Sequence, residues 1–175
     1  MRNTSKITFC ALMAALSVAF MLLAYFPYFT YAVPALAGVV GLVVLIEVGG
    51  KWTWLTYIVS AVLCVIFAET EAKFMYVLLF GYYPILKAYI EKINNRLIQY
   101  LIKFALFNSA VISVLFITIK VLGMPFDNFG GFGIFGSALF LILANITFYL
   151  YDIVLVRVAM VYLKRIHPLV KKVLK

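Results

Sequence analysis

The chain has 175 residues, 67% of them hydrophobic and 12% charged, and its mean hydropathy is +1.13. That balance lies far from a soluble domain and names lipid as the solvent. The formal charge of +9 does not indicate nucleic acid, because the basic residues lie in loops and tails between apolar runs and not along a face interleaved with base-stacking aromatics.

In chain order the apolar segments run 7–26, 31–46, 52–68, 74–89, 97–122 and 134–156, followed by a basic tail, 157–175. A bilayer core takes about 20 apolar residues per helical span, and strands would need a two-residue alternation that these runs lack. The expected fold is therefore an all-α integral membrane protein, a single domain over 1–175 built as a compact bundle of six transmembrane helices. Arg2 and Lys6 before the first run resemble a signal peptide, but bulky aromatics follow where a small-residue cleavage site would stand, so an uncleaved span is expected. The second and fourth segments are short and carry Pro34 and Pro84, which points to a kink, a partly re-entrant course or a locally thin membrane. Cys10 and Cys64 sit inside apolar runs expected near opposite faces, so they read as plain small apolar residues.

Lys and Arg accumulate on the cytoplasmic side of membrane proteins. With the N-terminus inside, thirteen basic residues fall inside and only Lys73 and Lys120 fall outside, so both termini are expected in the cytoplasm. The outer loops are then Pro27 to Thr30, the stretch FAETEAKF at 67–74, and GMPFDNFGGFG at 123–133. In the last, glycines permit tight turns and Phe126, Phe129 and Phe132 read as an aromatic belt or as a flap over a cavity.

No HExxH, GxSxG or Walker A pattern occurs, and the Gly49-Gly50-Lys51-Trp52 turn lacks the first loop glycine and the final Ser or Thr of a phosphate loop. A noncatalytic protein with no cofactor and no metal is expected. His167, beside Pro168 in the basic tail, reads as a headgroup-surface residue. Polar residues within the apolar runs are few. Asn108 and Asn145 either glue helices together or line a cavity. Asp152 is a functional candidate by default, with an ion pair to Arg157 as the plainer alternative.

In FAETEAKF, Glu69 and Glu71 are two apart and cannot form one carboxylate pair on a helix, whereas Glu69 and Lys73 would share a face. One reading makes the acids a solvated helix start, favoured by the helix dipole. The other makes Glu69, Glu71 and Lys73 the mouth of a pocket, with Tyr76, Tyr25, Tyr28 and Tyr31 as aromatic walls and hydroxyl donors.

Along the first span Ala11, Ala15 and Ala19 stack at four-residue spacing, and Ala37 and Gly41 form a second stripe on the next. Such stripes let helix backbones approach closely in lipid, either within the bundle or against another subunit.

With basic residues leading into this alanine-rich helix, and with its size and topology, the chain resembles the substrate-binding S component of energy-coupling factor (ECF) transporters, the bacterial vitamin importers. The motif carrying the resemblance is Ala11, Ala15 and Ala19 within Lys6 to Phe26. It implies a membrane-embedded capture subunit in the bacterial plasma membrane that binds a small soluble molecule at the outer face. The implied partners are a transmembrane coupling subunit, docked on the alanine stripe, and two ATP-binding subunits. The implied site draws on the outer loops and later helices, here Glu69, Glu71, Lys73, Tyr76, Tyr28, Tyr31, Asn108 and Asn145; the short Pro27 to Thr30 loop departs from the lid the family would place there. A noncatalytic scaffold of cell-envelope assembly and a small autonomous carrier dependent on Asp152 are the alternatives.

Overall fold

The computed structural model describes residues 3–26, 28–120, 133–168 and 170, and within its helices no side chain at 118, 119, 133–138 or 140. The segment 123–132, with Phe126, Phe129 and Phe132, lies outside the described residues, as do Pro27 and 171–175 of the tail. Among the described residues every regular element is helical: α1 Asn3–Leu22, α2 Ala32–Glu47, α3 Gly50–Phe67, α4 Thr70–Met75, α5 Tyr83–Ile90, α6 Arg96–Lys120 and α7 Gly133–Arg165. A 3-10 turn, Leu23–Tyr25, prolongs α1, and a π turn, Tyr76–Phe80, follows α4.

Among the described residues four helical stretches are long and apolar enough to cross a membrane: Asn3–Tyr25, Gly50–Phe67, Arg96–Ile117 and Leu141–Arg165. Their outward faces carry bare apolar side chains such as Leu12, Ile66, Leu97 and Ile142, a surface that water would not tolerate at this extent. The two remaining limbs are the short ones. α2 has sixteen residues, and the limb from Thr70 to Ile90 is interrupted.

α2 is the centre of the bundle, packed on α1, α3, α5, α7 and the π turn. Its sequence is apolar all round, as a surrounded helix requires, and Val33, Ala37, Val40 and Val44 are buried. Pro34 does not kink it. Pro34 stands in the first turn, where the missing N–H would have had no helical acceptor anyway. One buried cluster joins α1 to α4 around Met21, Val33, Cys64 and Tyr76, and a second joins α2, α5, α6 and α7 around Leu79, Tyr83, Phe107 and Phe148. Cys10 and Cys64 are both buried and free.

The interruption of the fourth limb has a clear local cause. Pro84 sits in the first turn of α5, so no α-helical bond can run from its nitrogen back to Phe80, and the chain instead widens to a π turn closed by Gly81 N–H donating to Tyr76 O at 2.8 Å. α2 accommodates this irregular backbone with glycine. A Cβ on Gly38 would lie 2.5 Å from Phe80 O and 2.7 Å from the Tyr151 hydroxyl.

α7 does not stop where the apolar run ends. It continues through Arg157 to Arg165, so the first residues of the basic tail are helical: Lys and Arg are good helix formers, and loss of hydrophobicity alone does not end a helix.

Candidate functional site

At the end of the bundle where α2 begins, Glu69 is the N-cap of α4. Its carboxylate accepts from Glu71 N–H at 3.1 Å and Ala72 N–H at 2.9 Å, satisfying donors that a helix start leaves without partners. Glu69 is thus not on a helical face shared with Lys73, because it precedes the helix. Glu71, the second residue of α4, accepts from the Tyr31 hydroxyl at 3.0 Å and so ties α4 to the start of α2. The Tyr25 hydroxyl donates to Phe67 O at 3.0 Å, tying the end of α1 to the end of α3.

The structure therefore brings Glu69, Glu71 and Tyr31 together, and does not gather the rest around them. Tyr28 is 98% exposed, on a left-handed backbone with φ 78°. The Lys73 ammonium stands 6.0 Å from the ring centre of its neighbour Phe74. Tyr76 points into the bundle, where its hydroxyl and that of Ser60 are 2.7 Å apart.

Halfway along α6 and α7, Asn108 and Asn145 exchange two side-chain hydrogen bonds, of 3.0 and 3.1 Å, and each amide also donates to the carbonyl four residues earlier, Phe104 and Leu141 respectively, at 2.8 Å. Both donors of each amide are committed, so the pair acts as a clamp between helices. Beside it runs an open apolar groove lined by Phe104, Leu141, Ile142, Asn145, Ile146 and Tyr149. Phe107 stacks on Phe148 with ring centres 4.4 Å apart just beyond the clamp.

The densest polar constellation lies further along the same helix pair and was not expected as a unit. Lys87 of α5, Lys103 of α6 and Asp152 of α7 are 5%, 4% and 7% exposed. Lys103 Nζ donates to Asp152 Oδ2 and Glu91 Oε1, each at 2.9 Å. Lys87 Nζ bonds Asp152 Oδ1, Asp152 O at 3.1 Å and Glu91 Oε1 at 2.9 Å, and the Tyr83 hydroxyl donates to Asp152 Oδ1 at 2.6 Å. Partial burial opposes ionisation of Glu91, but the hydrogen bonds from Lys87 and Lys103 outweigh it and hold this carboxyl below its ordinary range.

Asp152 thus does not pair with Arg157; among the described residues its ion-pair partners are Lys87 and Lys103. The reason is angular, since five residues turn a helix through about 140° and put the two side chains on different faces. The available signal was Lys103 itself, a lysine within an apolar run that needs a carboxylate from elsewhere.

His167 likewise does more than lie at a surface. Its Nδ1 is 2.8 Å from Glu47 Oε1, which also accepts from the Tyr162 hydroxyl at 2.8 Å, so the end of α2 is held to the end of α7.

On α1 the inward face is Cys10, Ala14, Ser17 and Met21. Ala11, Ala15 and Ala19 all lie on the exposed side, beside bare Leu12 and Leu16. Comparison with protein-family models, curated proteins and solved structures gives no match.

Proposed function

We propose that this chain is the membrane-embedded substrate-capture subunit of an ATP-driven importer of a vitamin-like micronutrient, a binder and not an enzyme. The observation that carries the reading is the exposure of Ala11, Ala15 and Ala19. α1 packs into its own bundle through a different face, so its small-residue stripe is spare, and a close-approach surface of this kind suits a second membrane helix. In this reading the partner is a transmembrane coupling subunit served by two ATP-binding subunits, and the protein spans the plasma membrane of a bacterium six times with both termini in the cytoplasm. The thirteen-to-two division of basic residues supports that orientation.

The ligand then enters at the end where α2 begins. Glu71 and Tyr31 supply the polar contacts, Glu69 the neighbouring negative charge, and Tyr28 and Lys73 the flanking surface. Carboxylates beside tyrosine hydroxyls suit a cationic or amine-bearing ring compound. Asn108 and Asn145 hold the helices that frame this binder.

Capture of tagged protein from mildly solubilised native membranes, with mass spectrometry of what accompanies it, tests the reading. One polytopic subunit with two ATP-binding subunits is the expected result, and cell-envelope proteins in their place would make the chain a scaffold. A second reading, an autonomous carrier, draws on the buried Lys87–Asp152–Lys103 cluster, since intramembrane charges mark ion and substrate pathways. It requires transport by the pure protein in vesicles and loss of that transport in Asp152→Asn.

A further inference from the structure

The segment α5 is joined to the molecule differently at its two ends. Its first residues, Tyr83, Pro84 and Ile85, are fully buried, and they follow a π turn and the Gly81–Tyr82 turn, so no continuous α-helical ladder stiffens the link to α4. The α2 surface facing that link is cut back at Gly38 and at Gly41, whose Cβ would stand 3.7 Å from Gly81 O. Its last residues lead to Glu91 and an exposed turn before α6. A rod of eight residues thus runs from a buried, irregular pivot to a tip, Ile90, that is itself buried but opens directly into an exposed turn.

At the tip Ile90 is buried and Gln99 Nε2 donates to Ile93 O at 2.6 Å; the rest of what holds the tip down is electrostatic and conditional. Lys87 on α5 and Lys103 on α6 are like charges directed at the same two carboxylates, Asp152 and Glu91. Two cations and two anions balance. Without Asp152 the two ammonium groups would face one carboxylate, and the attraction of α5 to α6 and α7 would turn partly into repulsion. An apolar contact of the same volume would hold α5 at least as firmly, so charge here supplies a contact that can be released.

We propose that α5 is a latched arm: it pivots as a unit on Gly81 and Tyr82, and the Asp152 carboxylate, gripped by Lys87 and Lys103, holds it shut over this end of the bundle. Tyr83, at the pivot, keeps its hydroxyl on Asp152, so release of Lys87 frees the tip and not the root. The inference is independent of the importer reading, because it concerns which segment opens and not what passes.

Amide hydrogen exchange of the full chain in lipid nanodiscs tests it. In Asp152→Asn, exchange across 85–95 should rise on the order of a hundredfold while α1 and α3 stay as protected as in the unaltered protein. The triple variant Lys87→Met, Lys103→Met, Asp152→Leu should return the segment to slow exchange. Exchange that rises evenly through all helices, or not at all, would overturn the latch. Should Asp152→Asn fail to fold, Glu91→Gln reads the same contrast from the exposed edge: a local rise of roughly tenfold supports the arm, and a uniform or absent change refutes it.

Discussion

The small-residue stripes of α1 and α2 look alike as sequence and have opposite fates. On α2, Ala37 is buried and the adjacent Gly38 lets Phe80 O and the Tyr151 hydroxyl come within 2.5 and 2.7 Å of where a Cβ would stand, too close for one to fit. That stripe is consumed by the chain's own irregular fourth limb. On α1, Ala11, Ala15 and Ala19 face outward while Cys10, Ala14, Ser17 and Met21 carry the internal packing. A run of small residues states only that something can come close. Which neighbour it is follows from the face that the larger residues bury.

The sharpest way to break the contrast is Gly38→Leu. With backbone and a tyrosine hydroxyl where the side chain must go, destabilisation of about 3 kcal/mol or more is expected, read as a fall in the thermal unfolding midpoint in detergent. An equal-sized residue placed on α1 at Ala15 should leave that midpoint unchanged, and a comparable fall there would mean that α1 packs internally through its stripe. A consumed acid should behave as the consumed glycine does, on a smaller scale. Glu69→Ala removes the cap of α4 and should cost about 1 kcal/mol, whereas loss of Glu71 leaves the helix start intact and gives up only the Tyr31 bond. At the bottom of the scale, Gly41→Ala meets only ordinary contact at 3.7 Å and gains helix propensity, so a neutral or slightly stabilising change, up to about 1 kcal/mol, is expected. Marked destabilisation there would show that α2 has no tolerance anywhere along its stripe.

Much of the helical layout was legible because apolar run length is a local property. The runs at 7–26, 52–68 and 97–122 correspond to α1, α3 and α6 within a few residues, and the shortness of the second and fourth limbs was visible beside Pro34 and Pro84. What each proline does was not, because it depends on register within the first turn: Pro34 begins α2 without disturbing it, and Pro84 begins a new helix after a break. The acids of FAETEAKF were legible as a helix start, and Glu69 fills that place in detail. The cluster around Asp152 was hidden for a physical reason. Its partners Lys87 and Lys103 are 65 and 49 residues away, and counting lysines by side assigned both to the cytoplasmic face without asking which carboxylate they meet. Helix–helix register alone brings them together, with Lys103 opposite Asp152 and Asn108 opposite Asn145 on antiparallel α6 and α7.

The central claim is that the exposed face of α1 is a docking face, and one comparison tests it most directly. Tagged unaltered protein and Ala15→Trp, matched for unfolding midpoint and monodispersity, are purified from the same native membranes and their companions quantified. The account predicts that a polytopic subunit and two ATP-binding subunits accompany the unaltered chain and are lost from Ala15→Trp. Undiminished recovery of those companions with Ala15→Trp would contradict it.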